Sequence, residues 1–263
     1  MPEFKQKTFD ELFDLSGKVA IVTGGANGIG KASALRLAQA GANIVIADLK
    51  IDEAQAAAKE IESFGVKALA VECNILKDDD LKTMVDKAME KFGAINILIN
   101  NAGGGGGGQE NPFEITVDDF RRDFELNVFS AWRLCQLCVP HMKESGYGSI
   151  VITTSMSSVN KSPDMSGYAA SKAAVNHMVA NLAHDFGPEV RINAVGPGAT
   201  RTASLESVLT PEIEEKMLSH TPIQRLGEAD DIAGAMLYFA SPISSWVSGQ
   251  TLFVNGGGVQ TLD

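Results

Sequence analysis

The stretch KVAIVTGGANGIGKASALRLAQA, residues 18–40, decides the fold. It begins with an apolar, β-branched run at 19–23 that reads as a buried strand. It ends with apolar residues at helical spacing over 29–40. Between them lies Thr23-Gly24-Gly25-Ala26-Asn27-Gly28-Ile29-Gly30. Glycines at such a turn let the backbone bend sharply and approach a ligand, and free N–H groups at a helix start attract phosphate. The same residues nearly spell a P-loop, since Gly25, four residues, Gly30 and Lys31 match GxxxxGK. Ala32 stands where a Ser or Thr would bind magnesium, and Lys31 falls inside the helical pattern, so a nucleotide hydrolase is disfavoured. Asp48 ends the next apolar run, where an acidic side chain can hydrogen-bond both ribose hydroxyls of a dinucleotide and repel a 2′-phosphate. No Arg or Lys lies in the glycine loop, and Lys50 is the nearest cation, so NAD is favoured over NADP.

Outward from this unit the alternation continues. Strand-like runs occupy 19–23, 43–47, 67–71, 96–100, 149–154, 191–195 and 251–254. Helical stretches fill 29–40, 51–64, 79–92, 118–143, 166–186 and 229–239. Strands and helices in this order predict an α/β fold: a single doubly wound (Rossmann) domain with a seven-stranded parallel sheet and helices on both faces. Residues 1–17 read as an amphipathic extension whose Thr8 and Glu11 form a capping box, and residues 18–263 as the one domain. Six consecutive glycines, 103–108, follow the fourth strand at its carboxyl end, where ligands bind in open α/β sheets. A ligand-ordered loop and a plain connector are both open readings of that run.

Composition narrows the function. The 263 residues are 44% hydrophobic, ample for a large core, and the net charge of −11 argues against nucleic acid and anionic membranes as partners. Three cysteines make no disulfide framework; Cys135 and Cys138 form a CxxC on an apolar helical stretch and read as small buried side chains. Four scattered histidines give no metal-ligand spacing, so no metal is expected. No signal peptide and no bilayer-spanning run is visible, and the expected location is cytoplasmic.

Tyr168-Ala169-Ala170-Ser171-Lys172 carries the chemistry. On a helix, Tyr168 and Lys172 share a face, which sets an ammonium beside a phenol. A nearby cation favours the phenolate and is expected to lower the Tyr pKa, giving a proton donor and acceptor for alcohol–ketone chemistry. Taken alone, YxxxK is cheap and fits a solvated helix face better than a catalytic pair. Ser155 lacks a GxSxG elbow, which disfavours a serine hydrolase.

Together, the loop 23–30, Asn100-Asn101-Ala102-Gly103, Asn127, Ser155, Tyr168 with Lys172, and Pro197-Gly198 resemble the short-chain dehydrogenase/reductase family, from about Leu15 to the C-terminus. The resemblance implies Tyr168 as general acid/base, Ser155 on the substrate oxygen, Lys172 on the nicotinamide ribose and Asn127 on a relay water. For the cofactor it implies Gly24, Asn27, Gly28, Ile29 and Gly30 on the phosphates, Asp48 on the ribose, and Asn74 and Ile75 at the adenine. Asn101, Ala102 and Gly103 would lie along the adenosine ribose, with Pro197, Gly198, Thr200 and Thr202 over the nicotinamide. Asn74 replaces the family's common aspartate, and Thr200 a frequent branched apolar residue, so their side-chain contacts depart from the pattern.

Asp119-Phe120-Arg121-Arg122, the stretch 125–130, Thr154-Ser155-Met156, the stretch 210–214, Ser245-Trp246-Val247-Ser248-Gly249-Gln250 and the ending 256–260 further resemble bacterial bile-acid hydroxysteroid dehydrogenases, of the 7α and also the 12α type. That resemblance implies an NAD-dependent steroid alcohol dehydrogenase, a homotetramer, with a small-molecule bile-acid substrate. A broad apolar cleft with one polar end suits a steroid. Gly104, Met156 and Asn160 are its expected substrate contacts, and residues 203–218 read as a helical lid before Pro222. A reductase of a sugar, polyol or acyl-carrier ketone is the alternative within the family, and a nucleotide-binding scaffold without turnover the alternative outside catalysis.

Overall fold

The computed structural model of the chain describes residues 6–105 and 111–258. A short α1 (Phe9–Phe13) precedes β1 (Val19–Thr23), α2 (Gly28–Gln39), β2 (Asn43–Asp48), α3 (Ile51–Glu62), β3 (Ala68–Glu72), α4 (Asp78–Phe92) and β4 (Ile97–Asn100). Next come α5 (Val117–Phe124), a π-helical turn (Glu125–Phe129), α6 (Ser130–Ser145), β5 (Gly148–Thr153), a 3-10 turn (Met156–Ser158), α7 (Ser166–Phe186) and β6 (Val190–Pro197). The chain closes with β7 (Thr200–Arg201), α8 (Ala203–Glu206), α9 (Pro211–Ser219), β8 (Gly227–Glu228), α10 (Ala229–Ala240), a second 3-10 turn (Pro242–Ser244) and β9 (Thr251–Val254).

Seven strands make one sheet in the order β3-β2-β1-β4-β5-β6-β9, and β7 and β8 pair separately. Every pairing is parallel. The order reverses between β1 and β4, so the chain leaves the sheet in opposite directions there and opens a crevice at the carboxyl ends. The pairing Thr23↔Asn100 marks that end.

Both faces of β1 are buried, which explains why it reads as a continuous apolar run. Ala20 and Val22 pack with Leu37 of α2, Ile61 of α3 and Phe239 of α10. Ile21 faces the other way, toward Met84 of α4, Leu134 of α6 and Val175 of α7. Each such Leu, Ile or Phe contributes about 1.5–3 kcal/mol on burial. Leu15, counted with the extension on sequence, belongs to this core: it is fully buried, and its N–H donates to the Ala40 carbonyl at 2.8 Å. The Thr8–Glu11 capping box starts α1 as expected, although none of that helix's residues is buried.

Strand limits match the expectation to within a residue or two. One helix does not. The predicted stretch 118–143 is broken by the π turn, which places Asn127 and shifts the phase of α6 relative to α5. Apolar spacing tracks the average helical period and is blind to one extra residue in a turn.

Candidate active site

The loop after β1 has the shape a phosphate requires. Gly24 and Gly28 hold left-handed φ angles of +61° and +53°. At Gly30 a Cβ would sit 2.1 Å from the Gly24 carbonyl, so only glycine lets the helix start cross under the loop. Asn27 takes the N-cap position without capping α2 through its side chain. The N–H groups of the first turn, with Ile29 lining the cleft beside them, are therefore left for a ligand. The Asn27 amide instead donates to Glu53.

Asp48 ends β2 against this loop: one carboxylate oxygen accepts the Ala26 N–H and the other the Lys50 N–H, both at 3.1 Å. Lys50 itself pairs with Glu53 at 3.0 Å. Past β3, Asn74 folds into a tight turn, its Oδ1 accepting the Leu76 N–H at 3.0 Å, and Ile75 is buried. Asn101 joins the two sides of the crevice, donating to the carbonyls of Thr23 and Gly24 at 3.3 Å each and accepting from Thr153 Oγ1 at 3.2 Å. The Ala102 N–H donates to Thr23 Oγ1 at 3.1 Å. The cradle, the first-turn N–H groups and a carboxylate at the end of β2 together fit a dinucleotide whose adenosine ribose is unphosphorylated.

Across the crevice, α7 carries Tyr168 and Lys172 one turn apart, as the spacing predicts. Lys172 is buried, and its Nζ donates to the Thr153 carbonyl at 2.9 Å and lies 5.7 Å from the Tyr168 ring centre. Burial pulls the ammonium down to about 8. Burial also pushes the Tyr168 phenol up; a hydrogen bond from Ser155 opposes this, and the Asp123 charge reinforces it. The expectation of a lowered phenol is thus corrected for the protein by itself. Desolvation of the packed-over phenol outweighs the ammonium, which lies over the ring and is engaged with a carbonyl. Ser155 begins the 3-10 turn, its Oγ accepting the Ser157 N–H at 3.1 Å.

Asn127 is buried in the π turn. Its Nδ2 donates to the Gly104 carbonyl at 2.7 Å and to Ser171 Oγ at 3.0 Å, while its Oδ1 accepts the Gly104 N–H at 3.1 Å. The amide therefore pins the glycine run to the helix carrying Tyr168. A Cβ on Gly105 would lie 2.4 Å from the Tyr168 ring, and one on Gly103 would lie 2.8 Å from Asn127 Oδ1. Close approach is why glycine stands at both. Residues 106–108 of the run lie outside the described residues.

Beyond Tyr168 a cleft opens. Ser155, Gly104, Pro197, Gly198, Thr200 and Thr202 line its polar part. Gly198 is tied by its N–H to the Val254 carbonyl at 2.9 Å, Thr200 Oγ1 donates to the Gly198 carbonyl at 3.1 Å, and Thr202 caps α8. The far wall is apolar: Met165, Leu205, Val208, Ile213 and Met217, mostly from the expected lid segment. Met156 and Asn160, expected here, do not line the cleft. Met156 turns its sulfur to the Asn255 amide at 3.1 Å, and the Asn160 N–H closes the 3-10 turn on the Met156 carbonyl at 3.0 Å. Met165 takes that place instead, directly before α7, where no sequence period marks it.

Other groups stay apart from this chemistry. Cys135 and Cys138 are free and fully buried, and burial pushes the Cys138 thiol up to about 12. Asn193 accepts the Gln250 N–H at 3.0 Å and donates to the Val247 carbonyl at 2.9 Å, a structural tie between β6 and the approach to β9. Among the described residues no His, Cys, Asp and Glu group could hold a metal.

A half-buried phenol, a hydroxyl and an ammonium at the mouth of an apolar cleft can pass a proton to or from a secondary alcohol oxygen. Known proteins agree with this geometry. A family model described as enoyl-(acyl carrier protein) reductase matches residues 24–258. The 7α-hydroxysteroid dehydrogenase of Escherichia coli (strain K12) is 50% identical over 250 residues, covering 95% of this chain and 97% of that protein. That of Clostridium sardiniense is 37% identical over 247 residues, covering 92% of this chain and 94% of that protein. Among solved structures, a 7α-hydroxysteroid dehydrogenase complexed with NADH and 7-oxo glycochenodeoxycholic acid superposes with a TM-score of 0.92 at 48% identity, covering 98% of this chain and all of that one (100%).

Proposed function

The chain belongs to the short-chain dehydrogenase/reductase family, and on that premise we propose that it interconverts the 7α-hydroxyl of a bile acid and the corresponding ketone, with NAD as its cofactor. The observation that carries this reading is the joining of two facts. Half-identity to a 7α-hydroxysteroid dehydrogenase spans nearly the whole chain, and Tyr168 and Ser155 open onto a cleft with one polar end and an apolar wall. The 12α position is the neighbouring regiochemistry.

In the oxidation direction, Tyr168 accepts the hydroxyl proton as the carbon becomes a carbonyl; in reduction it returns that proton. Ser155 donates a hydrogen bond to the same oxygen and fixes its distance from the phenol. Lys172 grips the nicotinamide ribose, and its charge offsets the burial that otherwise keeps the phenol protonated. Asn127 holds the glycine loop in place beside Tyr168 and anchors the relay water. The bound nicotinamide supplies or accepts the hydride, so these residues need move only a proton.

For the cofactor we assign the glycine loop from Gly24 to Gly30 with Asn27 and Ile29 to the pyrophosphate, and Asp48 to the adenosine ribose. Asn74 and Ile75 take the adenine edge, Asn101 to Gly103 the adenosine side, and Pro197, Gly198, Thr200 and Thr202 the nicotinamide. Gly104 stays as a substrate contact, joined by Met165 and the lid residues. Large exposed apolar side chains, among them Trp246 at 98% exposure and Trp132 on α6, support a homotetramer. We place the enzyme in the cytoplasm, as residues 18–263 acting as one domain.

NADH absorbance during incubation with bile acids bearing a single hydroxyl at position 3, 7 or 12 tests this reading. Fastest turnover with the 7α compound is expected; none with any of them refutes the steroid assignment.

A further inference from the structure

Two charged side chains are buried among the described residues, Lys172 and Asp123. Burying a charge is costly unless it is paired or hydrogen-bonded. Lys172 has its place in the proposed mechanism. Asp123 lies outside that mechanism, on the inner face of α5, which packs on α7.

The contact is specific. A Cβ on Gly167 would lie 2.5 Å from Asp123 Oδ2, so the carboxylate is seated where the residue before Tyr168 has no side chain. Helix α7 runs for 21 residues, yet its N-cap Met165 makes no side-chain cap and its first turn holds no acidic residue. Asp123 brings a negative charge to that turn from a neighbouring helix, where the helix dipole favours one. The other charges on α5 and the π turn, Asp118, Asp119, Arg121, Arg122 and Glu125, are exposed. The 3-10 turn packed on α7 carries only hydroxyls and a thioether. Along α7 the next charged group is Lys172, and His177 beyond it is exposed.

We propose that Asp123 is a positioning residue of the active site: seated against Gly167, it fixes the first turn of α7 and holds a negative charge beside Tyr168 that favours the protonated phenol. It therefore works against Lys172. The pair sets the phenol between two opposed charges, so it can give a proton to a ketone as well as take one from an alcohol. The raised phenol, due first to burial and in part to Asp123, agrees with this. The inference rests on the assignment of Tyr168 as acid/base, but its test does not require turnover.

The chain has three tyrosines, so Tyr168 is isolated in a tyrosinate absorbance titration by subtracting a Tyr168→Phe variant. Asp123→Asn removes the charge and keeps the shape; Asp123→Ala removes both. With Asp123→Asn, Tyr168 is expected to ionise at lower pH, and the rising limb of bile-acid oxidation moves the same way. At a fixed pH on that limb the rate rises about 3- to 10-fold. An unchanged Tyr168 titration in a folded Asp123→Asn protein overturns the proposal, as does a shift confined to Asp123→Ala. If Asp123→Asn does not fold, the direction of the Asp123→Ala titration decides. Absence of turnover in the unaltered enzyme would refute the functional reading and leave the titration to judge Asp123 alone.

Discussion

Burial disfavours the charged form of both Tyr168 and Lys172, and that opposition sets what each can do. The phenol is held up and the ammonium is held down to about 8, so at neutral pH the first is a proton donor and the second keeps most of its charge. For Lys172 the consequence extends to stability. An unfolded lysine titrates near 10.4, so between about 8 and about 10 the unfolded chain binds a proton that the folded chain has lost. Stability contributed by this site therefore rises with pH across that window, by on the order of 3 kcal/mol in full, and below it the penalty is complete. Relative to Lys172→Met, the unaltered chain should gain stability as pH rises through the window; chemical denaturation at several pH values measures the difference. A constant difference would mean that the ammonium is not desolvated. Sequence spacing finds the Tyr–Lys pair because four residues on a helix face are local. It misjudges the phenol's direction because burial depends on what the rest of the chain packs over it. Asp123 is missed for the same reason, since on an amphipathic helix it looks like any exposed acid.

At the level of elements, the strand–loop–helix unit of β1 and α2 is legible because its constraints are consecutive in sequence. Gly30 is its tightest point. Gly30→Ala forces a Cβ toward the Gly24 carbonyl at 2.1 Å, so the loop must open. NADH affinity, read by fluorescence titration, is expected to fall at least about tenfold, the effect of losing roughly 1.4 kcal/mol of binding. Unchanged affinity would show that the cofactor does not use this cradle. The helix from α5 to α6 teaches the opposite lesson. Its apolar pattern reads as one continuous helix, and the π turn that seats Asn127 against Gly104 leaves no trace in that pattern. Helices α8 and α9 lie where the sequence sets a helical lid and line the cleft, whereas Met165 belongs to a non-repeating stretch that carries no such signal.

For the molecule as a whole, every strand of the sheet was visible in the sequence because buried parallel strands are short, apolar and evenly spaced. Which strands neighbour one another is set by crossovers, and those bring the ends of β1, β4, β5 and β6 to one crevice. Loop, carboxylate, hydroxyl and phenol, far apart in sequence, meet there. Net charge of −11 gives the surface no attraction for a bile-acid carboxylate, so affinity rests on the apolar wall of the cleft. In the proposed mechanism this crevice oxidises a 7α-hydroxyl through Tyr168. The most direct test is steady-state NADH formation from a 7α-hydroxy bile acid by the unaltered enzyme and by Tyr168→Phe, with NADH binding followed in parallel. The Tyr168→Phe variant should lose about 10²–10⁴ in kcat while still binding NADH. A Tyr168→Phe enzyme that turns over the 7α compound at a near-normal rate would contradict this mechanism.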